Sequence, residues 1–401
     1  MENYWLYIEP YVYIDILENQ AILYNTLNKK KFIVNDKTTI FLLKELTAEQ
    51  NLRVTIISQQ QKQLPVIKWL RDSYSGDILN TNDSKQKPVQ FVPELRIKDN
   101  NSTGKYQHIY ELSLYLTGEC RLNCSHCQNY YKQFLYCKTC FTKELSINTI
   151  QQLLSQINYE YISQINLLGG NIFSYSQIIT LLSFLSNFKF IKNLFFNLEH
   201  IKNLHEFDIF LKYKKNLKVT LLINNLTNTS IKKLKKVTEY LISIELNYEL
   251  LFVVENEKEY HLIKKIQLKQ NDKIIPYCNV ENNMYFFKHN VFLREQDILS
   301  SNYSVLDILK NKVINKNFYG KLIVDTDGAI YISFNENKIG LISADITSII
   351  SQLSDQPLYK KTRMQVYPCS NCLYRFLCPP LSNYELFTKK NDLCLIKHKT
   401  S

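Results

Sequence analysis

The chain has 401 residues, 45% of them hydrophobic and 21% charged, with a net charge of +12 and ten cysteines. That length favours two or three domains over one core, and the composition excludes a disordered chain. No apolar run reaches the roughly 20 residues of a membrane span, so no membrane partner is expected.

The start, Met1-Glu2-Asn3-Tyr4, has no basic or apolar signal region. The cysteines sit at short spacings in a large chain, which favours metal over disulfides. A reducing cytoplasm is therefore the expected location. The lysine runs Lys29-Lys30-Lys31 and Lys232-Lys233-Leu234-Lys235-Lys236 read first as solvated surface. Their functional reading is attraction for an acidic partner, and a peptide suits them better than nucleic acid. No helix-turn-helix, zinc-finger or RNA-recognition spacing is present.

Residues 1–88 read as a small module with a linker. Tyr11 to Ile16, Ala21 to Leu27 and Lys31 to Val34 are β-rich runs broken by turn residues, a three-stranded meander. Asp36 is placed to cap a helix with Ile40, Phe41, Leu43 and Leu46 as its apolar face. Pro65 opens a second helix through Val66, Ile67, Trp69 and Leu70. Such a unit is too small for an enzyme but can dock a peptide by extending its sheet. The polar stretch Asn80 to Pro88 is the linker.

Residues 108–290 alternate short apolar strands with helices, the pattern of a parallel sheet or barrel. Expected strands are Leu112–Leu116, Gln164–Leu168, Asn193–Asn197, Lys218–Ile223, Leu241–Leu246, Leu251–Val254 and Lys273–Tyr277. Ile147–Ile157 and Ser176–Leu185 are expected helices. The first strand leads into Cys120, Cys124 and Cys127, and the second ends in Gly169-Gly170. Both lie where active-site loops belong, at carboxyl ends of parallel strands.

Residues 291–401 begin with a hairpin, Leu322–Asp325 and Ala329–Phe334 around Asp327-Gly328. A loop-rich stretch follows with Cys369, Cys372, Cys378 and Cys394. A segment this poor in apolar residues needs a metal to staple it. Three thiolates leave one iron of a four-iron cluster open for a ligand, whereas four close it. Zinc is the alternative at both groups. Cys137 and Cys140 form a further pair, redox-active, channel-lining or simply free, and Cys278 reads as a core thiol.

The Cys-x3-Cys-x2-Cys triad after strand one of a βα series resembles the radical SAM superfamily. The resemblance implies a partial (β/α)6 barrel of the α/β class and a [4Fe-4S] cluster on Cys120, Cys124 and Cys127. S-adenosyl-L-methionine would bind the open iron and yield a 5′-deoxyadenosyl radical. His126 stands where the family has an aromatic residue against adenine. Gly169, Gly170 and Asn171 stand where a Gly-Gly-Glu motif meets the amino group. Asn171 can accept a hydrogen bond there but brings no negative charge.

The pattern Cys369-x2-Cys372-x5-Cys378-x15-Cys394 is similar to the SPASM extension of peptide-modifying members. It implies one auxiliary [4Fe-4S] cluster. A second auxiliary cluster is not expected, because its ligand positions read Ser333 and Ser382 and no cysteine follows Gly340.

The front module resembles RiPP recognition elements, which hold leader peptides by strand addition. Tyr4-Trp5-Leu6-Tyr7-Ile8-Glu9-Pro10 and the stretch from Cys372 through Cys378 to Tyr384 look like proteins of the double-glycine peptide systems of Bacteroidales. Those systems include a maturase and a pseudo-radical-SAM companion. The implied function is modification of a ribosomally made precursor peptide, with an electron donor such as flavodoxin or ferredoxin. The alternative is a degenerate protein that binds leader peptide and assists a second radical SAM protein.

Overall fold

A computed structural model of the chain describes residues 2–94, 108–122, 124–139, 143–266, 268–342 and 346–396. Cys140 lies outside them.

The first eighty residues fold as β1 (Asn3–Ile8), β2 (Val12–Ile16), β3 (Ala21–Asn25), β4 (Lys31–Val34), α1 (Lys37–Thr47), β5 (Val54–Ser58), α2 (Pro65–Asp72) and β6 (Gly76–Asn80). The expected meander is present as the sheet β2-β3-β4. A second sheet, β5-β1-β6, was not anticipated. Its central strand pairs with partners about fifty and seventy residues away, which no local turn signal announces. Asp36 caps α1 by accepting from Thr39 N at 2.8 Å. Phe41, expected on the inner face, is 62% exposed, and Leu42 is buried instead. Ile40, Leu43 and Leu46 hold the inner face, and the 100° step per residue turns Phe41 away from it.

The meander is buried on both sides. Val12, Ile14, Ala21 and Leu23 face α1 and α2. The alternate residues Tyr13, Ile22 and Tyr24 face the C-terminal region, against Ile308, Leu309, Phe376 and Leu377. Arg375 clamps this contact. It donates to both carboxylate oxygens of buried Asp15, at 2.8 and 3.1 Å, and to Ser370 O at 2.8 Å.

The central region comprises β7 (Glu111–Thr117), α3 (Cys127–Gln133), α4 (Ile147–Gln156), β8 (Gln164–Gly169), α5 (Ile178–Leu185), β9 (Ile191–Asn197), β10 (Leu217–Ile223), α6 (Asn228–Ser243), β11 (Tyr248–Val254), α7 (Glu257–Ile263) and β12 (Lys273–Pro276). The six strands are parallel and adjacent in chain order, the partial (β/α)6 barrel. Of the segment expected as strand Leu241–Leu246, residues 241–243 end α6 and 244–246 form the turn after it. Leu234, Val237 and Leu241 recur at helical spacing and are buried there.

Side chains alternate across the barrel wall. Leu114, Leu167, Leu194 and Leu221 face the helices. Tyr115, Leu168, Phe195 and Leu222 face the lumen. The hairpin of β13 (Lys321–Val324) and β14 (Ala329–Tyr331) forms as expected, with Gly328 at φ +80° in its turn. β13 pairs in parallel with β7, and β14 pairs with β15 (Gly340–Leu341). The C-terminal region thus extends the barrel sheet to nine strands.

Candidate iron–sulfur and cofactor site

The triad sits where β7 leaves the barrel. Cys120 and Cys124 lie on the loop, and Cys127 opens α3. Each thiol has a polar neighbour from a different element. Cys120 Sγ is 3.1 Å from His200 Nε2 and accepts from Leu122 N at 3.4 Å. Cys124 Sγ accepts from Asn224 Nδ2 at 3.8 Å, and Cys127 Sγ is 3.3 Å from Thr139 Oγ1. Burial pushes the Cys120 and Cys124 thiols above their ordinary pKa. Thiolates form there at low cost only when a bound cationic group balances them.

The loop geometry depends on the two glycines. Gly170 N donates to Thr117 O at 2.7 Å, and Asn171 N donates to Glu119 O at 2.6 Å. A Cβ on Gly170 would lie 2.0 Å from Glu119 O. One on Gly169, at φ +150°, would lie 2.5 Å from Thr117 O. The exits of β7 and β8 therefore touch backbone to backbone. Asn171 Oδ1 accepts from Phe173 N at 3.3 Å, so the side chain caps its own turn. Cys120, Asn171, Phe173, Glu199, His200 and Lys202 line a common pocket of about 260 Å³.

His126 is not among the residues that line this pocket. Its ring stacks on Tyr277, with centroids 4.9 Å apart. Its Nε2 is 3.4 Å from Glu255 Oε2, and Tyr130 donates to Glu255 Oε1 at 2.7 Å. His126 is therefore already held against an aromatic ring of the protein itself.

Several site residues escaped the sequence reading. Thr117, Asn197, Asn224 and Glu255 stand at or just beyond the carboxyl ends of β7, β9, β10 and β11. Asn197 Nδ2 donates to Asn224 Oδ1 at 3.0 Å, which links two strand ends below Cys124. Polar residues ending apolar strands were the available signal. His200 ends a short 3-10 turn after β9, and burial followed by nearby Lys233 lowers its pKa to about 4.

Residues 134–139 cross the barrel mouth. Tyr136 and Cys137 are buried among the lumen side chains. Tyr136 O accepts from Tyr115 Oη at 3.1 Å, and Tyr136 Oη accepts from Asn197 Nδ2 at 3.2 Å. Lys138 N donates to Gly169 O at 3.1 Å, and its ammonium pairs with Asp325. Burial first, and the three triad thiols next, push the Cys137 thiol well up. Cys278 is a buried core thiol, as expected, bracketed by Gln133.

The second group converges as well. Cys369, Cys372, Cys378 and Cys394 line one small cavity with Arg363, Arg375 and Leu393. A parallel bridge between Leu293 and Cys394 brings the last thiol in. Burial raises all four thiols, Cys372 to about 11. Among the described residues, no three His, Cys, Asp or Glu side chains close around a point as a single bound ion requires. The four thiols meet through the cavity instead. Four soft donors on one cavity suit an iron–sulfur group or zinc.

Arg363 ties the chain passes that supply them, a role no motif announced. It donates to Pro379 O at 2.7 Å, Asn391 O at 2.9 Å and Cys369 Sγ at 3.5 Å. Its Nη2 also lies 2.8 Å from Glu385 Oε1. Ser333 Oγ donates to Asn383 Oδ1 at 2.6 Å, and Ser382 N and Oγ donate to Glu385 Oε2. Hydroxyl hydrogen bonds thus occupy the positions where the resemblance would put further thiolates.

Residues 110–242 match the family described as a 4Fe-4S single cluster domain. This span holds the triad and β7 through most of α6. No curated protein sequence matches the chain. SuiB of Streptococcus suis, solved with S-adenosylmethionine bound, aligns over 97% of this chain and 100% of its own. The TM-score is 0.53 at 13% identity.

The chain shares the fold of SuiB.

SuiB bound to its precursor peptide SuiA covers 99% of this chain and 100% of that one, with TM-score 0.42 and 14% identity. anSMEcpe with bound AdoMet covers 70% of this chain and 92% of that one, with TM-score 0.44 and 13% identity. No helix among the described residues is long and apolar enough to cross a membrane.

Proposed function

We propose that this protein is a radical SAM enzyme acting on a ribosomally synthesised precursor peptide. The observation that carries the reading is the joint placement of Cys120 and Asn171. Both line one pocket at the carboxyl ends of parallel strands. Cys120, Cys124 and Cys127 would hold the open [4Fe-4S] cluster. The cluster with S-adenosyl-L-methionine would supply a 5′-deoxyadenosyl radical.

The remaining work falls to the chain's own residues. The Gly169-Gly170 backbone lets the β8 exit approach the triad loop closely. Asn171 supplies an uncharged acceptor toward an amino group, while His126, the sequence candidate for an aromatic face, is stacked on Tyr277. Cys369, Cys372, Cys378 and Cys394 would hold an auxiliary cluster that relays electrons or braces the fold. Flavodoxin or ferredoxin is the electron donor proposed, and the cytoplasm the location. SuiB, whose fold this chain shares, was solved with S-adenosylmethionine.

The residue 1–88 module would hold the leader peptide by adding a strand to its meander. Ile40, Phe41, Lys37 and Lys44 line an adjoining pocket of about 580 Å³, which offers apolar and basic contacts.

Anaerobically reconstituted protein with S-adenosylmethionine and dithionite is expected to release 5′-deoxyadenosine. Cys120→Ala is expected to release none. Intact clusters without 5′-deoxyadenosine would overturn the catalytic reading.

A second reading is favoured by the strap at residues 134–139. It buries Tyr136 and Cys137 among the lumen side chains and occupies Gly169 O, while Asn171 Oδ1 is engaged by its own turn. In this reading the protein binds leader peptide and assists a partner radical SAM maturase. Peptide affinity without 5′-deoxyadenosine, and peptide modification unchanged by Cys120→Ala in cells, would favour it.

A further inference from the structure

We propose that His200 is a positioning residue whose Nε2–H hydrogen-bonds to the Cys120 thiolate and raises the reduction potential of the triad's cluster. The inference rests on the reading that Cys120, Cys124 and Cys127 hold an iron–sulfur cluster, and adds a residue that reading does not use.

The contact is short and built into the fold. Asn197, at the end of β9, accepts from Glu199 N at 3.0 Å and fixes the turn that ends in His200. The ring is 6% exposed, and its Nε2 stands 3.1 Å from Cys120 Sγ. Its Nδ1 is buried without a hydrogen-bond partner. A cluster-bound thiolate carries no proton and can only accept. The Nδ1–H tautomer would therefore set a nitrogen lone pair against a sulfur lone pair at that distance. It would also leave a buried N–H unpaired. The Nε2–H tautomer turns the same contact into a charge-assisted hydrogen bond.

Hydrogen bonds to cluster sulfurs draw off negative charge and favour the reduced state, most strongly where water is excluded. The other two triad thiols have neutral side-chain neighbours at 3.3 and 3.8 Å. Leu122 N reaches Cys120 at 3.4 Å. His200 thus makes the shortest of these contacts, on the thiol that lines the pocket. A donor here eases the one-electron reduction on which cofactor cleavage depends.

The test is an EPR-monitored redox titration of anaerobically reconstituted full-length protein. The triad's signal is the one lost in Cys120→Ala, and the auxiliary signal serves as internal reference. His200→Phe keeps a ring without a donor and is expected to move the triad potential more negative. His200→Gln keeps an N–H and is expected to fall between that variant and wild type. An unchanged potential in His200→Phe, or a potential in His200→Gln as low as in His200→Phe, overturns the proposal. Where His200→Phe takes up no iron, wild type labelled with 15N-histidine gives the second readout. Nitrogen hyperfine coupling to the triad cluster is expected, and its absence overturns the proposal. A wild type with no signal that depends on Cys120 overturns the cluster reading itself, and His200's role with it.

Discussion

Gly170→Ala is expected to remove iron from the triad and to destabilise the barrel mouth. The added Cβ would stand 2.0 Å from Glu119 O, 2.6 Å from Glu119 C and 3.1 Å from Gly118 C. All three are backbone atoms on the chain that leads into Cys120, so no side-chain rotation relieves them. The exits of β7 and β8 must separate, and the hydrogen bonds Gly170 N to Thr117 O and Asn171 N to Glu119 O are lost. Overpacking costs about 1–3 kcal/mol and occasionally more, and a clash with three backbone atoms belongs at the upper end. Gly328→Ala is the control. Its φ of +80° is strained for alanine, but the nearest atoms to a Cβ lie at 3.9 and 4.0 Å. It should cost about 1–2 kcal/mol and leave the iron in place. Iron content and thermal unfolding of the two variants check this. Equal effects would show that the close crossing at Gly170 does not govern the loop.

Arg363→Met is expected to loosen the whole C-terminal cysteine region. The guanidinium is nearly enclosed, as is its partner Glu385, with side-chain exposures of 9% and 3%. Removing one member leaves the Glu385 carboxylate buried against Ser382 alone, leaves Pro379 O without its donor and leaves Asn391 O with only the Cys369 thiol at 3.3 Å. Breaking a buried pair from one side costs about 3–5 kcal/mol. Arg363→Met combined with Glu385→Leu removes both charges and should recover a large part of the loss. Hydrogen exchange over 363–394 reads the effect locally, which suits a chain of several cooperative units. If the single variant protects these amides as well as wild type, Arg363 is not what holds the four thiols together.

The parallel strands were legible because short apolar stretches recur between helical or turn segments, from Leu112 in β7 to Ile275 in β12. The exception among the expected strands, Leu241–Leu246, misleads for a physical reason. The buried face of α6 ends in Leu241, and Leu246 lies just beyond, so a short apolar window looks the same in either conformation. The front module was half legible. Its meander pairs through tight turns, whereas β1 finds β5 and β6 only across long stretches of chain. The cysteine groups announce themselves by spacing. His200 and Arg363 do not: His200 reaches Cys120 across the fold from the turn after β9, and Arg363 gathers Pro379, Glu385 and Asn391 from later passes of the chain. Ser333 and Asn383, fifty residues apart, meet in the same way.

The measurement that bears most directly on the account is metal and sulfide analysis of anaerobically purified wild-type protein beside the triple variant Cys120→Ala/Cys124→Ala/Cys127→Ala. Two four-iron clusters require iron and acid-labile sulfide in equal amounts in wild type, and about half of each in the variant. Colourless protein holding zinc and no sulfide, or an iron content that the triple variant leaves unchanged, would contradict the account.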